Sequence, residues 1–321
     1  MHQHHQTLLC AIEWLNAGNT IYLFHVAQTW GSSPRPVGSL MAVTASGQHI
    51  GSVSGGCVEA DLFRRIAEDE FKEVTIKLIK YDNKLDKHIT LPCRGQMQLL
   101  LEVVDNPEQL QPALEAIRTR QAIVRQIDVS SLQVRYSQQN TYQASFDGQI
   151  LSEPYGPNWR VLLIGANDLA IHVTRQCQAL DYEVIISEPR EEYRNNWIEA
   201  DCEVTSLMPD EAVDRYARDE YTAVLALSHD PKLDDLAIMQ ALYSPAFYVG
   251  ALGSRRSAQR RENTLVSMQL DAERIRKLDA PIGLNIGSRS PAEIAVAIAA
   301  KLIQVRNSRV DSGQPASQQQ S

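Results

Sequence analysis

No Cys-x-x-Cys pair occurs anywhere in the 321 residues. The five cysteines, Cys10, Cys57, Cys93, Cys177 and Cys202, are scattered and odd in number, so neither a structural zinc site nor a disulfide framework is indicated. The chain also lacks a phosphate-binding Walker loop, a His-x-x-x-His pair and a Gly-x-Ser-x-Gly elbow. No triad of nucleophile, base and orienting residue can be assembled from spacing, so no catalytic residue and no metal ligand is assigned. No window approaches the ~20 apolar residues of a membrane span. The first residues, Met-His-Gln-His-His, carry no basic region followed by an apolar run. These absences predict a protein of the reducing cytoplasm. Positive charge is also in deficit: the net charge of −8 argues against nucleic acid as a partner.

What is present is a chain with 44% hydrophobic and 22% charged residues, enough to bury a core in about two domains. Residues 51–59 read Gly-Ser-Val-Ser-Gly-Gly-Cys-Val-Glu. A strand is expected before them at 48–53, and a helix after them at 58–71, with Val58, Leu62, Phe63 and Ile66 on one face. Gly55 and Gly56 therefore lie at a strand-to-helix handover. There, glycines let backbone amides point outward and the helix start favours an anion. Cys57 falls at the same end, where a thiolate is favoured. A tight turn with a buried cysteine accounts for the same residues.

Along the chain, a helix is expected over 5–17 and strands over 20–30, 39–44, 74–81 and 97–103. Cys93 lies in a second turn, Leu-Pro-Cys-Arg-Gly-Gln, just before the last of these. A helix at 107–119 and strands at 122–128 and 132–137 precede a polar, irregular stretch at 138–148. Residues 152–158, Ser-Glu-Pro-Tyr-Gly-Pro-Asn, read as a linker. Beyond it the pattern changes. Apolar runs at 160–164, 183–187, 222–228 and 246–251 alternate with helical stretches, which predicts a doubly wound parallel sheet. Ser290, Pro291 and Glu293 form a capping-box signature before a helix at 294–305. The expected domains are 1–105, a connecting α/β segment at 106–158, a Rossmann-like domain at 159–306 and a disordered tail at 307–321. The fold class is α/β, with an N-terminal α+β domain ahead of the Rossmann-like one.

Residues 165–170, Gly-Ala-Asn-Asp-Leu-Ala, occupy the place of a dinucleotide fingerprint. Gly165 and Ala170 fit its first and third positions. Asn167 takes the second, where a side chain hinders close approach to a pyrophosphate. Glu188 lies where an acidic ribose ligand belongs. Gly253, Ser254, Arg255 and Arg256 follow a buried strand and open a helix, an arrangement that suits a phosphate or simply a solvated basic helix start. His229, in Ser228-His229-Asp230, ends another strand and points toward the same crevice, or belongs to an ordinary turn.

Three stretches together resemble the xanthine dehydrogenase accessory proteins of the XdhC/CoxI type. They are residues 51–59, residues 248–256 (Tyr-Val-Gly-Ala-Leu-Gly-Ser-Arg-Arg) and residues 281–295 (Pro-Ile-Gly-Leu-Asn-Ile-Gly-Ser-Arg-Ser-Pro-Ala-Glu-Ile-Ala). The resemblance implies a non-enzymatic maturation chaperone. Such a protein binds the finished molybdenum cofactor, molybdopterin or its cytosine dinucleotide form, and supports its sulfuration with a cysteine desulfurase. It then inserts the cofactor into an apo molybdoenzyme large subunit, that of an aldehyde oxidoreductase or a xanthine dehydrogenase. A molybdopterin cytidylyltransferase is a further implied partner, and a homodimer the implied assembly. By carry-over, Ser54, Gly55, Gly56, Cys57 and Glu59 contact the cofactor. Cys93 matches the family's second cysteine turn in part: the usual Cys-Gly-Gly is Cys93-Arg94-Gly95 here. Asn167 and Asp168 stand where the family usually keeps a second glycine and often a histidine after it. The competing expectation is an NAD(P)- or nucleotide-dependent oxidoreductase, which requires a working fingerprint at Gly165.

Overall fold

Alternating apolar residues shape the first half of the chain and continuous apolar runs the second, and the two halves form separate units, Met1–Pro157 and Asn158–Ser321. The structure is a computed structural model and describes residues 2–31, 35–56, 58–81, 96–138, 141–198 and 202–312.

The first unit opens with α1 (His2–Asn16), whose Leu8, Ala11, Ile12 and Leu15 share one buried face. Gly18 ends it at φ +85, a conformation that only glycine adopts without strain. Then follow β1 (Ile21–Trp30), β2 (Leu40–Thr44), β3 (His49–Gly51), α2 (Glu59–Ala67), β4 (Ile76–Tyr81) and β5 (Gln96–Val104). The strands form an antiparallel sheet in the order β3-β2-β1-β5-β4. Along β1 the side chains alternate as a pleat requires. Tyr22, Phe24 and Val26 meet Leu62 and Ile66 of α2 and Phe71 beyond it, while Ile21 and Leu23 join the core beneath α1.

Residues 106–158 lie in the same unit, up to Pro157. They supply α3 (Gln111–Arg118), β6 (Ile123–Asp128), β7 (Gln133–Ser137), β8 (Ser145–Phe146) and β9 (Ile150–Tyr155). The second antiparallel sheet runs β7-β6-β9-β8. Two expectations are corrected here. The polar stretch at 138–148 contains the short strand β8, and the start of the expected linker at 152–158 is the end of β9. Pro154 is tolerated because β9 pairs with β8 only at Leu151 and Ser152.

Four charged or titratable side chains from the two sheets are buried together. His25 donates from Nδ1 to Glu153 at 2.8 Å. Arg125 donates to Glu102 at 2.5 Å, and His25 Nε2 lies 3.6 Å from Glu102 Oε2. The Arg125 side chain also donates to the Tyr136 hydroxyl at 3.1 Å. Burial opposes the charge on His25, but Glu153 and Glu102 outweigh it and raise the imidazole to about 9. The cluster therefore holds two cations against two carboxylates at neutral pH, the pairing that buried charges require.

The second unit alternates strand and helix: β10 (Arg160–Ile164), α4 (Asp168–Ala179), β11 (Glu183–Ser187), α5 (Glu191–Asn195), β12 (Glu203–Thr205), α6 (Pro209–Tyr216), β13 (Thr222–Ala226), α7 (Pro231–Tyr243), β14 (Tyr248–Ala251), α8 (Arg255–Ser267), α9 (Ala272–Ile275), β15 (Leu278–Asp279) and α10 (Pro291–Ser312). All strand pairs are parallel, in the order β12-β11-β10-β13-β14-β15. This is the doubly wound Rossmann-like arrangement, and its order reverses between β10 and β13. Leu162, Ile164, Val224 and Ala226 of the central strands sit in a core with α6 and α7. α10 continues to Ser312, beyond the expected end at 305. Residues 313–321 of the expected tail lie outside the described residues.

Candidate functional site

Glu59 is the first residue of α2, and its carboxylate closes the turn that precedes it. Oε1 accepts the Ser52 hydroxyl at 2.8 Å and the amides of Val53, Ser54 and Gly55 at 3.1, 2.9 and 3.1 Å. Oε2 accepts the Gly56 amide at 2.9 Å and the Ser54 hydroxyl. Ser54 Oγ in turn accepts the Val58 amide at 3.0 Å. Burial alone raises a carboxyl, yet the Ser54 hydroxyl and amide and the Ser52 hydroxyl outweigh it and hold Glu59 at about 2. The expected outward-pointing amides are thus corrected: the amides of 53–56 converge on the chain's own carboxylate. Gly55 and Gly56 take φ of +86 and +126. An added Cβ at either meets nothing within 4 Å, so the dihedral angles, and not crowding, require glycine. Cys57 and Cys93 both lie outside the described residues.

In the second unit the residues singled out from sequence gather at the carboxyl ends of the parallel strands. Gly165 has φ +101, and a Cβ there would stand 2.5 Å from Ser228 Cα, so glycine allows the turn after β10 to lie against β13. Asn167 is extended and caps α4: its Oδ1 accepts the Ala170 amide at 3.0 Å, and its Nδ2 donates to Leu227 O at 2.5 Å. Asp168 adds a carboxylate in the first turn. Glu188, buried at the end of β11, accepts the Ala166 amide at 3.0 Å. It also pairs with Arg190, whose Nε lies 2.8 Å away. Burial pushes the Glu188 carboxyl up, and the Arg190 and Ala166 hydrogen bonds bring it below its usual range. The position expected to grip a ribose is therefore filled from within, and the helix end expected to face a pyrophosphate is capped by its own asparagine.

His229 is exposed at φ +61, a rare conformation for a residue with a side chain. Its neighbour Asp230 caps α7 through the Lys232 amide at 3.0 Å, which is turn chemistry. Gly253 precedes Ser254, which caps α8 through the Ser257 amide at 3.2 Å. Arg255 and Arg256 are exposed on the first turn of that helix, which carries no acid there. Arg255 borders a cavity of about 600 Å³ between α8 and α9. His229 and Gly253 border a different one of about 460 Å³, together with Leu169, Asp234, Arg261 and Ile294. At the start of α10 the capping box forms as the sequence predicts, with Glu293 accepting the Arg289 and Ser290 amides at 2.7 and 3.0 Å.

Asp234 and Arg261 escaped the sequence reading. Asp234 is 3% exposed, and its Oδ1 accepts the amide and hydroxyl of Ser228 at 3.0 and 2.7 Å. Burial raises its carboxyl, with Ser228 and Arg261 pulling the other way. The available signal was an acid between Leu233 and Ala237 on the apolar face of a helix. Among the described residues no group of His, Cys, Asp and Glu is placed to hold a metal, and no helix is long and apolar enough to cross a membrane.

A family model described as the XdhC Rossmann domain matches residues 161–302, and one described as the XdhC and CoxI family matches residues 14–77. Together they cover more than half of the chain. A Bacillus subtilis (strain 168) protein described as a probable xanthine dehydrogenase subunit is 23% identical over 311 residues, covering 88% of this chain and 92% of its own. An Escherichia coli (strain K12) protein described as the molybdenum cofactor insertion chaperone PaoD is 26% identical over 307 residues, covering 94% and 89%. A crystal structure described as a xanthine dehydrogenase from Bacillus halodurans has the same fold. Its TM-score is 0.77 at 21% identity, and the match covers 96% of this chain and 98% of that one. With both the glycine turn and the Rossmann-like unit matched, the chain belongs to the XdhC and CoxI family.

Proposed function

We propose that this protein is a maturation chaperone, not an enzyme, that binds finished molybdenum cofactor as cargo and delivers it to an apo molybdoenzyme. The observation that carries this reading is the near full-length similarity to a relative described as a molybdenum cofactor insertion chaperone. The chemistry supports it. Molybdopterin is anionic through its phosphate, and the first turn of α8 offers Arg255 and Arg256 with no acid beside them. The Glu59 carboxylate fixes the turn that leads to Cys57, the thiol we assign to the cofactor. A cysteine at a helix start is inclined to the thiolate and suits a soft metal centre. Ser54, Gly55, Gly56 and Glu59 then shape the turn, and Cys93 is the second thiol assigned to the site.

The finer reading follows from the family. The cargo is the cytosine dinucleotide form, made by a cytidylyltransferase and sulfurated with a cysteine desulfurase. The client is a molybdenum hydroxylase of the aldehyde oxidoreductase or xanthine dehydrogenase type, and the chaperone works in the cytoplasm as a homodimer. A dehydrogenase reading meets Asn167, Asp168 and the Arg190-paired Glu188, which leave neither a free pyrophosphate grip nor a free ribose acid.

The test is reconstitution. An apo aldehyde oxidoreductase is supplied with isolated cofactor, with and without the purified chaperone. The reading predicts at least a severalfold gain in active enzyme with chaperone present. Equal activation without it contradicts the reading.

A further inference from the structure

The parallel sheet of the second unit ends at β15, which pairs with β14 on one side and, among the described residues, with no strand on the other. Successive residues of a strand turn their N–H and C=O groups to opposite edges, so one of its two residues presents both groups outward. The side chains alternate too. Leu278 packs against the core shared by α6, α7 and α9. Asp279 turns to the opposite face, where it accepts the Tyr248 hydroxyl at 2.6 Å and lies 3.8 Å from Lys301 of α10. Two cavities flank this edge, and Arg276 and Leu278 line both. The first, of about 600 Å³, lies toward α8 and α9, with Ala258, Val266, Ala272 and Ile275 as its apolar wall and Arg255 and Glu262 as its other charges. α8 buries only Leu265, which leaves Val266 exposed beside that wall. The second, of about 470 Å³, lies toward α10 and sets Arg276, Lys277, Lys301 and Arg309 against one lining acid, Asp279. Arg309 also meets Glu220 at 3.6 Å. Across residues 255–277 seven arginines and lysines stand against three acids, Glu262, Asp271 and Glu273, a net of +4 in a chain of −8.

We propose that this edge takes an extended segment of a partner protein as an added strand, its acidic side chains turned to Lys277, Lys301 and Arg309 and its apolar ones to the cavity between α8 and α9. Alternate side chains of an added strand fall on opposite faces of the sheet. Here one face offers an apolar cavity and the other a cationic one, so the alternation selected is apolar with acidic. β15 is two residues long, so its main-chain bonding is brief and the cavities supply most of the affinity. A second copy does not complement the edge: a two-fold pairing of two β15 strands would set one cationic cavity beside the other. Residues 313–321, Gly-Gln-Pro-Ala-Ser-Gln-Gln-Gln-Ser, offer neither an acid nor a large apolar side chain. A nucleic acid would match the cations and leave the apolar wall uncovered. The proposal stands apart from the cargo assignment and does not depend on it.

The test is fluorescence anisotropy of labelled short peptides titrated with the full chain. One peptide alternates glutamate and leucine, one alternates lysine and leucine, and oligothymidylate is the nucleic-acid arm. The glutamate–leucine peptide should bind saturably, at least roughly tenfold tighter than the lysine–leucine peptide, and more weakly as salt rises. Lys277→Glu, an exposed change at the cationic cavity, should weaken it at least roughly fivefold. Ala258→Trp, which fills the apolar cavity, should do the same, and Val266→Glu on the surface of α8 is the second probe of that wall. N-methylation of alternate peptide amides removes strand hydrogen bonds and should weaken binding further. Circular dichroism melts identify the folded variants. Equal binding of the two peptides, tighter binding of the oligonucleotide, or affinity unmoved by a folded variant at either cavity overturns the proposal. A wild-type dimer that Lys277→Glu or Val266→Glu dissociates on size exclusion also overturns it, because a second copy then holds the edge.

Discussion

The Gly56 amide donates to Glu59 Oε2 at 2.9 Å, so the residue that begins α2 reaches back and closes the turn that leads into it. The same carboxylate collects the amides of Val53, Ser54 and Gly55, which makes the turn a preformed shape. Glu59→Gln replaces one of the two acceptor oxygens with a donor. Removing a charged acceptor from several donors costs about 1–3 kcal/mol. The expected outcome is a fall in the thermal midpoint of the first unit by roughly 2–12 °C, read by differential scanning calorimetry.

The same carboxylate sets a pH dependence. Its folded value, about 2, lies below the ordinary 4.5. Its contribution is therefore fully present above about 4.5 and is lost as pH falls toward 2. The stability gap between wild type and Glu59→Gln should be constant from pH 5 to 7 and narrow between 4.5 and 2. Denaturant titrations at each pH measure it, and a gap that widens on acidification contradicts the assignment.

His25 titrates in the opposite sense. Its folded value, about 9, lies above the ordinary 6.5, so its contribution is present below 6.5 and is lost as pH rises through 9. Glu153, Glu102, Arg125 and the half-buried His4 surround it, and desolvation holds His4 down at about 4. Wild type should lose stability relative to His25→Gln between pH 6.5 and 9. Breaking the neighbouring pair with Arg125→Met leaves Glu102 buried without its guanidinium and should cost about 3–5 kcal/mol. Denaturant midpoints over this pH range test both.

Gly165→Ala should destabilise the second unit, because the residue needs φ +101 and its new methyl would meet the backbone of Ser228. Asn167→Ala removes a helix cap and should cost about 0.5–2 kcal/mol. Neither change is expected to create NAD binding, since Glu188 stays paired with Arg190. Thermal unfolding together with an NAD titration checks both statements.

Much of the fold was legible in the residues. Continuous apolar runs such as 160–164 have one home, a parallel sheet covered on both faces, and the Ser290–Glu293 signature formed its capping box. What stayed hidden depended on contacts distant in sequence or on backbone closure. Arg125 sits between Val124 and Gln126 as a surface charge would, and only pairing with Glu102 from another strand places it inside. Glu59 belonged to the quoted motif, but its grip on four preceding amides forms only once the turn is folded. Asp234 was masked by the rule that helix acids face water. The two prolines and the glycine of 152–158 marked the boundary, which falls after Pro157, but they hid that the start of the stretch is strand, where Pro154 fits an end that β8 does not reach.

The cofactor assignment makes its own demand on variants. Cys57→Ala should fold normally and retain less cofactor. Arg255→Glu with Arg256→Glu should weaken retention most at low salt, because exposed charges act over only ~10 Å at 0.1 M ionic strength. Cofactor retained at wild-type level in both variants, at low and at physiological salt, would place the cargo elsewhere on the chain.

The central claim is that this chain carries molybdenum cofactor, and the most direct test is to purify it from cells that make the cofactor and measure what it holds. Acid oxidation converts the pterin to a fluorescent product, and released CMP reports the dinucleotide form. The account predicts pterin near one equivalent per chain with an equal amount of CMP. Protein that carries no pterin, and takes up none when titrated with isolated cofactor, contradicts it.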